Sequence, residues 1–292
     1  MKITVTGSLG NISKPLTKQL IAAGHQVTVI SSSADKTAAI EALGAKAAIG
    51  SLTDAAFLTK AFTGADAVYT MVPPNFAAAD YRENAKTIAH SYATAIRNTG
   101  ITRIVNLSSV GADLENGTGQ ITGLHDTETI LNQLAGVAIK HSRAGFFYFN
   151  FFSNIGMIKH LGFIGSNYDA NTRLVMVHPE NIADVIAEEI QQPFTGKSVR
   201  YAISDDRTTG EVAAVLGAAI GKPDLQWVEF TDDQALDGML QGGVPPVQAK
   251  GYVEMGTAAR SGALWTDYDL HQTIKGNIKL EDFAKEFAAK FV

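Results

Sequence analysis

The chain opens on a short apolar run and then repeats one rhythm: brief β-branched stretches separated by longer segments with apolar residues at helical spacing. The runs at Lys2–Thr6, Gln26–Ile30, Ala45–Ile49, Ala67–Val72, Arg103–Leu107 and Val137–His141 are continuous rather than alternating, as in strands buried on both faces of a parallel sheet. Between them, Ile12–Ala23, Ala34–Leu43, Asp54–Phe62, Phe76–Asn98 and Leu124–Leu134 carry the helical period. This alternation predicts an α/β fold built on a doubly wound parallel sheet with helices on both faces.

After Arg143 the rhythm breaks. An aromatic run, Gly145–Phe152, leads into a stretch containing Gly and Asn that lasts to Asn171. Strands are expected at Leu174–Val177, Val199–Ile203 and Leu225–Phe230, and helices at Asn181–Gln191 and Thr209–Ile220. Helices at Asp232–Leu240 and Val247–Met255 would form a lid or small substrate lobe. The final segment, Leu280–Val292, sets Leu280, Phe283, Phe287 and Phe291 on one helical face. The expected division is 1–152 and 153–292, the second a smaller α/β substrate lobe that contributes partly to the same sheet. No flexible linker separates the two, so tight packing is expected.

Composition narrows the classes. With 292 residues, 46% of them hydrophobic and 18% charged, the chain is an ordinary globular protein. It has no cysteine, which removes disulfides, thiolate catalysis and cysteine-bound metal, and fits a cytoplasmic location. MKITVTGSLG enters a strand at once, so no secretion signal is expected. No window approaches the roughly 18 apolar residues of a membrane span. A net charge of −5 without blocks of like charge argues against a nucleic-acid partner. The histidines show no metal-ligand spacing, so no metal is assigned. The expected partner is a small molecule, and a homodimer is compatible with the sequence.

The most informative motif lies between the first strand and the first helix: Thr6-Gly7-Ser8-Leu9-Gly10-Asn11-Ile12-Ser13. Glycines in such a turn let backbone approach a pyrophosphate, and the helix N-terminus offers free N–H groups and a partial positive charge. The spacing is G-x-x-G-x-x-S, with Ser13 at the third small position. In this context the loop predicts a dinucleotide-binding Rossmann domain, with Gly7, Ser8, Leu9, Gly10, Asn11 and Ile12 at the cofactor.

Cofactor choice is read after the second strand, where NAD binders usually carry an acid for the ribose hydroxyls. Here stand Ser31, Ser32, Ser33 and, further on, Lys36, a set better suited to a 2′-phosphate. NADP(H) is therefore preferred, with NAD(H) the alternative. Ser33 has a second reading, as N-cap of the next helix. Ligands in open α/β sheets lie at the carboxyl ends of strands. That nominates Ser51 and Leu52 for the adenine side, and Met71, Val72 and Pro73 beside ribose and pyrophosphate. Near the nicotinamide it nominates Ser108, Ser109, Ala144, Gly145 and Phe146. A rigid strand end at Pro73-Pro74, and core packing for most of the aromatic run, are the plain readings of the same residues.

Ketone-reducing short-chain dehydrogenases use a Tyr-x-x-x-Lys pair after strand five. There the tyrosine donates the proton and the lysine lowers its pKa. None of the tyrosines at 69, 81, 92, 148, 168, 201, 252 and 268 has a lysine four residues later. In its place stands Gly123-Leu124-His125-Asp126-Thr127-Glu128. His125 is either a general acid or a solvated residue at a helix head, where Asp126 and Glu128 would serve the helix dipole.

Taken in order, T-G-x-x-G-x-x-S, Arg103–Ala112, Ser142–Phe147 and Pro179–Asp184 resemble the NmrA-like branch of the atypical short-chain dehydrogenases, over residues 1 to about 260. Two departures stand out: Ser13 replaces the usual third glycine, and serines replace the basic residue after strand two. The resemblance implies NADPH-dependent reductases of quinones and cationic dyes, or cofactor sensors without turnover. Hydride transfer to a quinone-like acceptor yields a stabilised anion that water can protonate, so it tolerates the missing acid. A nucleotide-sugar epimerase ranks third, because its keto intermediate needs the pair. The segment Gly111–Gly123 is expected to close over substrate, or to be merely a loose connection.

Overall fold

A computed structural model describes residues 1–75 and 78–291. In chain order its elements begin with β1 (Lys2–Val5), α1 (Ser13–Ala22), β2 (Gln26–Ser31), α2 (Thr37–Glu41), β3 (Lys46–Ile49) and α3 (Ala55–Phe62). Next come β4 (Ala67–Thr70), α4 (Tyr81–Thr99), β5 (Arg103–Ser109), α5 (Thr122–Asn132), β6 (Ala138–Ala144), β7 (Phe146–Phe147) and α6 (Ile155–Leu161). After these lie β8 (Ile164–Ser166), β9 (Arg173–Val177), α7 (Pro179–Gln191), β10 (Lys197–Ala202), β11 (Asp205–Thr208) and α8 (Thr209–Ala219). The chain ends with β12 (Trp227–Glu229), α9 (Asp232–Gln241), α10 (Pro246–Arg260) and α11 (Leu280–Phe291).

Seven strands form one parallel sheet in the order β10-β6-β5-β4-β1-β2-β3. The order reverses between β1 and β4, which sets the switch point beside the loop after β1. Local signals place the helices. Asp54 accepts from the N–H groups of Ala56 and Phe57 to start α3, and Asp80 accepts from Glu83 to start α4. Gly100 at φ 70° then stops α4. The expected helix start at Phe76 and the last residue, Val292, lie outside the described residues.

Two compact units divide the chain. The first comprises 1–109, 123–143 and 182–200; the second comprises 110–122, 144–181 and 201–292. A single cut after residue 152 does not reproduce this division. The reason is physical: β10 extends the large sheet, and α7 is bound within the first unit. Gln19 donates to Asp184 at 2.7 Å, and Arg200 donates to Glu189 at 2.6 Å. The second unit is also nearly as long as the first, because 110–122 and the three last helices belong to it.

In the first unit, Leu58, Phe62, Ile88, Tyr92, Ile104 and Leu131 lie in one core between the sheet and its helices. Each such side chain contributes on the order of 1.5–3 kcal/mol by leaving water. Through this apolar layer runs a polar row. Thr70 Oγ1 donates to Asn106 Oδ1 (2.9 Å), and Asn106 Nδ2 lies 3.2 Å from His141 Nδ1. His141 Nε2 lies 3.0 Å from Asn132 Oδ1. The geometry suits a neutral imidazole that accepts at Nδ1 and donates at Nε2. Burial pushes the His141 pKa down; Arg143 and Lys197 add to this, and Glu128 opposes it. Above about pH 6.5 neither folded nor unfolded chain protonates this residue. Below that value the unfolded chain takes up a proton that the folded one refuses, so stability falls with pH toward the depressed folded pKa. Urea unfolding between pH 7.5 and 5.5 should therefore show a steeper loss in the wild type than in His141→Gln. Equal slopes would refute the assignment.

In the second unit, β11-β9-β7 form a three-stranded sheet, with β11–β9 antiparallel and β7–β9 parallel, and β8 pairs parallel with β12. The aromatic run packs inward only in part, less than its plain reading expects: Phe146, Phe147, Phe149 and Phe152 are half-buried. Tyr148 and Phe151 are buried, Phe283 of α11 stacks on Tyr148 at 5.4 Å, and Phe287 stacks on Phe152 at 6.0 Å. The segment 111–121 is not a free lid. A Cβ on Gly119 would sit 2.0 Å from the Gly251 carbonyl oxygen, and one on Gly111 would sit 2.6 Å from Leu264. Glycine serves close packing at both positions.

Candidate functional site

The loop after β1 is a tight, self-braced turn. Gly7 has φ 90°, and a Cβ there would lie 2.4 Å from Ser13 Oγ and 3.4 Å from Met71. Gly10 N donates to the Gly7 carbonyl at 3.1 Å, and Ser13 Oγ donates to the Thr6 carbonyl at 2.8 Å. Ser13 thus ties helix to strand with its hydroxyl, a service a third glycine could not give. Ser8 is the sole non-glycine with positive φ among the described residues, at 56°. That conformation costs roughly 1–2 kcal/mol. Two hydrogen bonds hold it: Ser8 N donates to the Ile30 carbonyl at 3.0 Å, and Ser8 Oγ donates to Ser31 Oγ at 2.9 Å. Gly10 and Asn11 are exposed, Ser8 and Leu9 half-buried, and Ile12 buried. Ile12 precedes α1 without a side-chain cap. The turn leaves exposed backbone at a helix N-terminus, which fits a pyrophosphate.

Strand pairing brings the neighbouring ends to this loop. Thr6 N donates to the Tyr69 carbonyl (3.2 Å), and Gly50 N donates to the Ser31 carbonyl (2.9 Å). Met71 and Pro73 are half-buried and Val72 buried, and the Met71 carbonyl accepts from Tyr92 at 2.7 Å. Ser51 is exposed, its hydroxyl 2.8 Å from that of Thr53; Leu52 is half-buried.

The serines after β2 divide. Ser31 is buried, and its hydroxyl donates to the Ser33 carbonyl and accepts from Ser33 N, both at 3.2 Å. With Ser8 also donating to it, its one proton and two lone pairs are in use. Ser31 therefore has no hydrogen-bonding capacity left for a cofactor, contrary to the expectation of direct contact. Ser32 and Lys36 are exposed, and Ser33 makes no side-chain cap.

Ser108 closes the row at the end of β5, with its Oγ buried and lacking a hydrogen-bond partner among the described residues; Ser109 is half-buried. Ala144, Gly145 and Phe146 belong to the second unit. There the Ala144 carbonyl accepts from Val110 N, and Gly145 N donates to the Ala202 carbonyl. Gly145 is required for packing, since its Cβ would meet the Val175 carbonyl oxygen at 2.6 Å.

His125 lies half-buried on α5. Its neighbours do not serve the helix dipole. Asp126 accepts from Arg82 at 2.5 and 2.9 Å, which holds its carboxyl below the usual range, and Lys86 stands 3.6 Å away. Glu128 accepts from Arg143 at 3.0 and 2.8 Å in a buried ion pair that sequence reasoning missed. Burial pushes up the pKa values of Tyr69, Tyr92, Tyr148, Tyr168, Tyr252 and Tyr268. Tyr148, with no exposure, donates to Asp205 at 2.8 Å.

A glycine turn at the switch point of a 3-2-1-4-5-6 parallel sheet defines a dinucleotide-binding Rossmann protein. Residues 7–142 match the model of the NAD(P)H-binding family. No curated protein matches the sequence. Among solved structures, an NADPH-dependent quinone oxidoreductase from Escherichia coli, complexed with NADPH, is similar at TM-score 0.81 and 19% identity, covering 97% of this chain and 99% of that one. A triphenylmethane reductase from Citrobacter sp., complexed with NADP(H), is similar at TM-score 0.81 and 19% identity, over 99% and 100%. A nucleoside-diphosphate-sugar epimerase from Staphylococcus aureus reaches TM-score 0.76 and 15% identity, over 98% and 100%. These likenesses show a shared Rossmann-type α/β fold.

Proposed function

We propose that the protein is an NADPH-dependent oxidoreductase that passes hydride to a quinone-like or otherwise conjugated acceptor. The observation that carries this reading is a cofactor cradle without a poised acid: the Gly7–Ser13 turn is built for a pyrophosphate, and the Tyr-x-x-x-Lys pair is absent. The quinone and dye reductases among the structural neighbours support the same chemistry. Gly7 to Ile12 hold the pyrophosphate. Ser32, Ser33 and Lys36 face the 2′-phosphate, and Ser51 and Leu52 flank the adenine. Met71, Val72 and Pro73 line the ribose side. Ser108 and Ser109 serve the nicotinamide end, where the unpartnered hydroxyl of Ser108 suits a polar ligand. The bound cofactor supplies the hydride, and water protonates the acceptor anion.

The test is NADPH consumption across quinones, cationic dyes, enones and simple ketones, with turnover expected for the first classes and none for aliphatic ketones. His125→Ala should lower quinone turnover by less than the ~100-fold typical of a removed general acid. A larger loss with cofactor binding intact would make His125 catalytic. Firm NADPH binding without turnover on any acceptor would favour a cofactor sensor.

A further inference from the structure

We propose that Ser31 is a positioning residue for cofactor selectivity, coupling the phosphate loop to the turn that reads the 2′-phosphate. The inference rests on the NADP(H) reading above. It starts from a chain of hydroxyls: Ser8 Oγ donates to Ser31 Oγ at 2.9 Å, and Ser31 Oγ is in turn bonded to both the carbonyl and the N–H of Ser33 at 3.2 Å. One end of this chain is the positive-φ residue of the pyrophosphate turn, and the other is the first residue of the path to Lys36.

Three features make it a coupling device rather than an incidental contact. Ser31 is 3% exposed, so water cannot replace the bonds cheaply. Its hydroxyl is fully used, so it acts through its neighbours and not on the ligand. Ser8 occupies a backbone conformation that glycine adopts freely, yet carries the side chain that makes the link. The turn at 32–33, with exposed Ser32 and half-buried Ser33, is thereby held in one conformation relative to the loop that grips the pyrophosphate. A cofactor with a 2′-phosphate uses both places at once; one without it uses the loop alone.

The experiment is calorimetric titration of the whole protein with NADPH, NADH, 2′-phospho-AMP and AMP, for the wild type, Ser31→Ala, Ser8→Gly and the double variant. Ser31→Thr serves as the hydroxyl-retaining control, and thermal unfolding checks each fold. Ser31→Ala should weaken NADPH and 2′-phospho-AMP roughly five- to tenfold, the scale of one hydrogen bond, while NADH and AMP change less than twofold. Ser8→Gly, which lies in the pyrophosphate loop itself, serves only to test whether the two changes add. The two single changes should not add, and Ser31→Thr should keep the preference. Equal weakening of phosphorylated and unphosphorylated ligands would leave Ser31 a purely structural role and overturn the proposal. An unchanged preference would overturn it too. A wild type that binds NADPH and NADH alike would instead remove the NADP(H) reading on which it stands.

Discussion

Gly7→Val should lower NADPH affinity by at least about 100-fold while leaving a folded protein. A Cβ at position 7 would lie 2.4 Å from Ser13 Oγ, so the hydroxyl must leave the Thr6 carbonyl it now bonds. The residue would also hold φ 90°, at a cost of roughly 1–3 kcal/mol for a non-glycine. Adding about 1 kcal/mol for the lost hydrogen bond still leaves most of a typical stability of roughly 5–15 kcal/mol. Binding suffers far more, because displacing Ser13 and Met71 distorts the turn whose backbone must approach the pyrophosphate. Gly10 differs: no positive φ is required there, and its Cβ would meet only the Gly7 carbonyl oxygen, at 3.1 Å. Gly10→Ala should therefore cost no more than about tenfold in affinity, a distinction the G-x-x-G spacing alone does not reveal. Calorimetric titration beside thermal unfolding checks both. A folded Gly7→Val protein with near-normal affinity would refute the placement of the cofactor.

The second large effect is on stability. Arg143→Met removes the guanidinium that makes two hydrogen bonds with Glu128, and leaves a carboxylate whose side chain is only 7% exposed. Breaking a buried pair from one side typically costs about 3–5 kcal/mol, which for a chain of this size lowers Tm by roughly 10 °C. Replacing both partners, as in Glu128→Leu with Arg143→Met, should recover most of that loss, because the desolvation penalty of the pair disappears with its attraction. Scanning calorimetry of the two single variants and the double variant decides the matter. A single variant within about 1 kcal/mol of the wild type would show that water reaches Glu128.

The first-half strands are legible because each is a compact β-branched run bounded by turn residues, and the expected boundaries differ from the observed ones by only a few residues. The tight turn after β1 is legible for a related reason: its glycines stand between a strand and a helix, and Gly7 takes the positive φ that such a turn calls for. What sequence does not reveal depends on neighbours distant in the chain. β11 reads Asp-Asp-Arg-Thr and carries no hydrophobic signal; its partner β9 makes it a strand. β7 and β8 are two and three residues long, too short for any period. Gly145 reads in the sequence as a cofactor residue, yet Val175 is what requires a glycine there. Composition groups Ser31 with Ser32 and Ser33, whereas the pleat turns its hydroxyl inward. Asp126 and Glu128 read as helix-end charges until Arg82 and Arg143 are found opposite them.

The interleaved division of the chain has a consequence for biosynthesis. The backbone passes from one unit to the other at residues 109–110, 122–123, 143–144, 181–182 and 200–201. A ribosome that has released residues 1–152 has delivered β6 but not β10, its neighbour on the outer side of the sheet. It has also not delivered Lys197, whose ammonium bonds the carbonyls of Leu134 and Val137 beyond α5. The nascent sheet must therefore wait, with one edge open, until about fifty more residues have emerged, a delay of several seconds at ordinary elongation rates of ~5–20 residues per second. Neither unit corresponds to a continuous length of polypeptide, so truncated products of translation should be recognised by proteases rather than persist as stable half-proteins.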